Sequence, residues 1–156
     1  MNTYIIKELN EANAARIDTL LHMLSPDAPT LGYARLAELL AGDSFWLFVT
    51  EDADGQLAGM LTLTRCHTLS RSKFWIEDVI VDPAYRGQGV GRALVHAAVE
   101  YVRAAREHTC TTGESTTGCE RNPSLYLTSN PSRTAARALY RSEGFEEYET
   151  GVFRIV

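Results

Sequence analysis

An α/β (α+β) fold, with a mixed and mostly antiparallel central sheet flanked by helices, is what this 156-residue sequence predicts, and three observations predict it. A β-branched and aromatic run, Phe74 to Val81, is halted by Asp82-Pro83, because proline cannot donate to a sheet ladder and restricts the residue before it. A glycine-rich loop, Arg86 to Gly91, then opens a run in which Leu94, Val95, Ala98, Val99 and Val102 recur at spacings of three and four, one face of an amphipathic helix. Around that strand–loop–helix unit the other segments complete the order β-α-α-β-β-β-α-β-α-β-β, read as one domain over residues 1–156.

Thr3 to Lys7 reads as an opening strand with Tyr4, Ile5 and Ile6 as its apolar content. Asn10 or Asn13 caps a helix whose Ala14, Ile17, Leu20, Leu21 and Leu24 keep helical spacing until Ser25-Pro26 stops it. Thr30 caps a second short helix, with Leu36, Leu39 and Leu40 inward and Gly42 at its close. The connection from Ser25 to Leu31 is a candidate lid over an acceptor site. Phe45 to Thr50, the turn-forming Glu51-Asp52-Ala53-Asp54-Gly55, and Gln56 to Thr68 make a β-hairpin, which Phe74 to Val81 extends into a meander.

Beyond the long helix, Arg106 to Asn122 is dominated by small polar residues that cannot bury enough area to fix themselves, and reads as an inserted mobile loop. Ser124 to Thr128 is a strand. Asn130-Pro131 then serves as cap and first position of a helix to about Ser142, and Gly144 ends that helix in a left-handed cap. Phe145 to Val156 supplies the last hairpin strands.

The glycine loop carries the chemistry. Glycines turn sharply and bring bare amides close to a ligand, and the unpaired N–H groups of a helix start, with the positive end of its dipole, form an anion site. Arg86 and Arg92 add full charges beside it, so the expected ligand carries phosphate. A P-loop would need Lys-Ser or Lys-Thr after its last glycine, whereas Gly91 is followed by Arg92-Ala93. A dinucleotide fingerprint would read G-x-G-x-x-G, whereas Gly87, Gly89 and Gly91 alternate.

Arg86 to Gly91 reads Arg-x-x-Gly-x-Gly after a strand and before a helix, which resembles the pyrophosphate loop of the GNAT N-acetyltransferase superfamily, and Ile76 to Pro83 looks like that family's core strand. A second motif, Ser129-Asn130-Pro131-Ser132-Arg133 through Ala138-Leu139-Tyr140 to Gly144-Phe145, is similar to the family's Asn plus ALYxxxGF signature. The likeness extends over nearly the whole chain, with the order of elements; the Arg106–Asn122 stretch departs from it. It implies acetyl-CoA as co-substrate, held by Val79, Ile80 and Val81 of the core strand, by Arg86, Gly87, Gln88, Gly89, Val90, Gly91 and Arg92 of the loop, and by Asn130 and Arg133. Tyr140 would sit by the acetyl sulfur; the competing reading is a core aromatic on an amphipathic helix.

An amine attacks a thioester only as the free base, so some group or water chain takes its proton, a backbone N–H steadies the carbonyl oxygen, and a donor meets the departing thiolate. A phenol with pKa near ~10 suits the last role, which falls to Tyr140. Glu77, mid-strand in an apolar segment, is the first candidate base, and Ile76-Glu77-Asp78 resembles diamine and aminoalkylphosphonate acetyltransferases. An exposed or salt-bridged acid is its bland alternative, and His67 is a weaker candidate base. Period two sends Trp75, Glu77 and Val79 to one face, and Ile76, Asp78 and Ile80 to the other. The expected activity is transfer of acetyl to a primary amine of a small molecule; the alternatives are an inert acyl-CoA-binding or sensing module, or a protein (lysine or N-terminal) acetyltransferase.

Composition bounds the partners. Net charge is −5, with 20 acidic against 15 basic residues and no run of like charge, which argues against nucleic acid and is compatible with a cationic acceptor. No apolar run is long enough to span a bilayer and Met1 to Asn10 lacks a signal-peptide core, so no membrane association and a cytoplasmic location are expected. Cys66, Cys110 and Cys119 are odd in number and fit no recognised zinc pattern, so reduced thiols, no Cys110–Cys119 disulfide and no metal are expected. A homodimer is compatible with all of this.

Overall fold

In the computed structural model, which describes residues 1–69, 71–111, 124–151 and 155, the elements follow the expected order up to the last helix. They are β1 (Asn2–Ile5), α1 (Glu11–Leu24), α2 (Gly32–Leu40), β2 (Phe45–Glu51), β3 (Leu57–His67), β4 (Ser72–Val81), α3 (Val90–Thr111), β5 (Ser124–Leu127) and α4 (Thr134–Ser142), with a 3-10 turn at Pro83–Tyr85. The sheet runs β1-β2-β3-β4-β5 in space, antiparallel throughout except for the parallel β4–β5 pair that the α3 crossover imposes.

Two apolar layers sandwich this sheet. On one face α3 lays Leu94, Val95, Ala98 and Val102 against Leu61, Leu63, Phe74 and Ile76, and Tyr140 of α4 joins them. On the other, Ala14, Ile17 and Leu20 of α1 and Leu36 of α2 cover Leu47, Val49, Leu57, Met60 and Ile80.

The caps show how local signals were used or overridden. Asn10 caps α1, its side chain accepting from Asn13 N at 2.8 Å. Thr30 does not cap α2. That end has no cap from its own segment; Asp18 of α1 reaches across instead, its carboxylate accepting from Leu31 N and Gly32 N, both at 2.9 Å. The Ser25–Leu31 connection is thereby fastened at its far end to α1.

Four further expectations are corrected. The long helix runs on through Thr111, so residues 106–111 are helical, and only the remainder of the supposed loop, with Cys119, lies outside the described residues. Helix α4 begins at Thr134, because the Asn130 side chain is spent on a tight turn, accepting from Ser132 N at 2.9 Å and Ser132 Oγ at 2.8 Å. Residues 145–151 form no strand. Glu147 instead pairs with Arg137 and Arg141, holding this segment against α4 where hairpin strands were expected.

The fourth concerns alternation along β4. Register slips between Met60 and Thr62, and Asp78, at φ 47°, is the residue that absorbs the bulge. Upstream, Phe74 and Ile76 face α3; downstream Val79 and Val81 face it, and Ile80 turns to α1 and α2. Glu77, opposite Thr62, and Asp78, which accepts a 3.0 Å hydrogen bond from Thr62 Oγ1, therefore share the α1–α2 face.

Candidate active site

The site grows from a failure of pairing. Strand β5 matches β4 only from Lys73↔Ser124 to Ile76↔Leu127, so the second half of β4 has no neighbour on that side among the described residues. Asp82 N bonds Ala58 O at 2.9 Å and Ile80 O points at Gly59, so the main-chain groups of Ile80 and Asp82 face β3. By alternation those of Val79 and Val81 point into the gap. Ile80's main chain is thus committed to the sheet, whereas the main chain of Val79 has no strand partner on the gap side among the described residues and Val81 O meets only the Arg86 side chain there, at 3.4 Å.

Below the gap lies the glycine loop. Gly87 and Gly89 have φ of 75° and 84°, conformations open to glycine, and nothing stands within 4 Å of where their Cβ atoms would be. The first helical bond is Ala93 N to Gly89 O at 2.9 Å, so the amides of Val90, Gly91 and Arg92 precede the ladder. These bare amides, beside two left-handed glycines with open space around them, fit a pyrophosphate.

Three ties hold the loop. Arg16 donates from Nη2 to Asp82 at 2.6 Å and from Nε to Leu57 O at 2.9 Å, pinning α1 to the turn that enters the loop. That bond and the Ala84 amide hold the Asp82 carboxyl below its ordinary range. Tyr85 donates to Asp52 at 2.6 Å, and the Gln88 side chain folds back onto Ala84 O at 3.1 Å. Arg86 is exposed, with a long 3.4 Å contact to Val81 O, while Arg92 leans 3.6 Å from Glu143, which also meets His96 at 3.1 Å.

Tyr140 is 7% exposed, packed edge-on against Phe145, yet its hydroxyl makes no hydrogen bond among the described residues and its side chain lines a cleft of about 360 Å³. Burial raises its pKa, the Arg133 charge opposing, so the phenol stays protonated at neutral pH. Asn130 and Arg133 are exposed on the turn leading into α4.

Glu77 is exposed on the opposite face of the sheet from Tyr140. Partial desolvation first, and then the neighbouring Asp78 charge, raise its pKa, which moves a carboxylate toward the range of a useful base. His67 is elsewhere: its Nδ1 meets Ser72 Oγ at 2.7 Å at the far end of the β3–β4 hairpin, five residues and so roughly 17 Å along the strand from Glu77.

Sequence reasoning missed the cleft's aromatic wall. Trp75 stacks on Tyr126 at 5.1 Å and Tyr126 meets Tyr148 edge-on at 6.2 Å. Alternation put Trp75 on the face of Glu77, but its meeting with Tyr126 depends on the β4–β5 register, which no local pattern encodes. Among the described residues, no group of His, Cys, Asp and Glu is placed to hold a metal, and no helix is long and apolar enough to cross a membrane.

Comparison with known proteins agrees with this geometry. Residues 42–147, more than half of the chain, match the Acetyltransferase (GNAT) domain family. A streptothricin acetyltransferase of Streptomyces lavendulae is 38% identical over 56 residues, 36% of this chain and 29% of that protein. Glucosamine 6-phosphate N-acetyltransferase 1 of Oryza sativa subsp. japonica is 35% identical over 113 residues, 64% of this chain and 66% of its own. The chain thus spans under two thirds of the length of each of these relatives. In fold it is similar to an aminoglycoside acetyltransferase from an uncultured soil metagenomic sample, solved with sisomicin, at TM-score 0.75 and 16% identity over 99% of this chain and 95% of that one.

Proposed function

This chain belongs to the GNAT acetyltransferase family, and on that premise we propose that it moves the acetyl group of acetyl-CoA directly onto a primary amine of a small molecule. One observation carries the reading: the half of β4 that has no neighbour beside it among the described residues runs into the glycine loop, and Tyr140, whose hydroxyl makes no hydrogen bond among those residues, lines the cleft along β5. Acetyl-CoA supplies the activated thioester. The relatives that act on aminoglycosides and on glucosamine 6-phosphate support a small amine as acceptor.

Each residue then has a task. The amides of Val90, Gly91 and Arg92, with Arg86, hold the pyrophosphate, and Val81, Asn130 and Arg133 lie along the route of the pantetheine arm. The Val79 N–H meets the charge that develops on the carbonyl oxygen. Glu77, directly or through water, takes the proton that the amine nitrogen loses as the new C–N bond forms, and passes it to solvent. Tyr140 donates to the sulfur as the C–S bond breaks, and is reprotonated from solvent. The products are the N-acetylated amine and free CoA thiol.

Thiol release measured across a panel of amines tests this directly, since an inert binding module would bind acetyl-CoA without turnover. With an accepted amine in hand, Tyr140→Phe keeps the packing ring and removes the donor; kcat should fall roughly ten- to a thousandfold with KM for acetyl-CoA little changed. Wild-type turnover in that variant would return Tyr140 to a packing role.

A further inference from the structure

Lys73, Trp75 and Glu77 follow one another along a single face of β4, about 6.6 Å apart at each step. The middle position is an aromatic ledge. Trp75 and Tyr126 stack with planes 27° apart, and Tyr148, 75% exposed, closes on Tyr126 at 68°. Lys73 Nζ lies 5.9 Å from the Tyr126 ring at the ledge's far end. The opposite end leads to the carboxylates of Glu77 and Asp78.

The same ledge lines the cleft that holds Tyr140. At about 360 Å³ its volume suits one ring with a short arm. Ser129 also lines it, its Oγ buried and without a hydrogen-bond partner among the described residues. A linear aliphatic amine would use the acids and leave the ledge in water. An acceptor with a ring face would use both.

We infer that the acceptor is a ring-borne primary amine, its ring lying on the Trp75–Tyr126–Tyr148 ledge and its amine directed toward Glu77 and Asp78. The inference rests on the proposed acetyl transfer for its catalytic consequence, but ring binding itself is measurable without it. Aryl and sugar rings share the required flat apolar face, so tyramine and glucosamine stand for the two sources, against putrescine and spermidine as ringless amines.

Two readouts decide the matter. The chain has two tryptophans, and Trp46 packs on the other face of the sheet against Phe74 and Tyr101, so a Trp46→Phe variant reports on Trp75 alone. Tyramine or glucosamine should change its emission saturably, and the ringless amines should not. In steady-state thiol release, Trp75→Ala should raise KM for the ring amine roughly tenfold, leaving kcat/KM for putrescine and KM for acetyl-CoA unchanged. Preference for either ring supports the ledge and identifies its occupant. Equal emission changes with ringless amines, or a Trp75→Ala loss shared by ring and ringless acceptors, would overturn it. Saturable ring binding with no thiol release from any amine would instead leave the ledge standing and remove the proposed catalysis.

Discussion

Gly59 of β3 lies against both the downstream half of β4 and the first turn of α3, and Gly59→Ala tests whether that closeness sets the site. A Cβ there would lie 2.8 Å from Ile80 O, 3.0 Å from Val90 Cγ1 and 3.3 Å from Leu94 Cδ1. Ordinary carbon contacts begin near ~3.5 Å, so β4 or the first turn of α3 must retreat by about half an ångström. Neither has room: Val90 is 1% exposed and Leu94 0%, inside a close-packed layer. Overpacking of this kind costs about 2–3 kcal/mol. For a chain of this size each kcal/mol moves Tm by about 2–4 °C, so thermal denaturation should show a drop of roughly 4–12 °C. The affinity for acetyl-CoA should weaken as well, since Val90 opens the helix whose first amides are proposed to hold the pyrophosphate. Gly91→Ala is the internal control: its Cβ would meet Leu139 at 3.4 Å and Val81 at 3.6 Å, both ordinary contacts, and stability should hold or rise. A Gly59→Ala protein with unchanged Tm would refute the packing argument.

Gly89→Ala places a Cβ at φ 84° in a space the protein leaves open, so stability should fall by about 1–2 kcal/mol while calorimetric affinity for acetyl-CoA falls roughly tenfold; unchanged affinity would remove this loop from the cofactor site. The pH–rate profile should rise as Glu77 loses its proton, and because its pKa is raised that limb lies above the ordinary carboxylate range. Asp78→Asn removes a neighbouring charge and should shift the limb to lower pH with the same acceptor; a stationary limb would argue for another base. The sign for stability follows the same shift: what Glu77 contributes to folding is present below its unfolded pKa and lost as pH rises through the raised folded value.

The strand, glycine loop and long helix from Phe74 onward were legible because each signal is local: β-branched residues, a proline stop, glycines, and a three-four apolar period. The Tyr140 motif was legible for the same reason. What escaped depends on distance along the chain. Asp18 caps a helix that begins 14 residues later, and Trp75 meets Tyr126 only after a crossover of a whole helix. The bulge escaped because its left-handed residue is an aspartate, so no glycine marks it. The final strands were expected from the chain order, yet in residues 145–151 Glu147 finds partners in Arg137 and Arg141.

The Asp78 bulge acts as a reading-frame shift inside a strand. Before it, β4 displays Trp75 and Glu77 to one layer; after it, a single added residue inverts every assignment, giving Val79 and Val81 to the α3 side and Ile80 to the α1 side. The side chains proposed to meet the acceptor and the backbone proposed to meet the coenzyme thus lie on adjacent stretches of one strand, each in its own phase. Deleting Asp78 would leave one residue opposite Leu61 and restore plain alternation, with Val79 and Val81 still on the α3 side and Ile80 still on the α1 side. The extra residue therefore costs the two packed layers nothing; what it adds is a second carboxylate beside Glu77 on the exposed face.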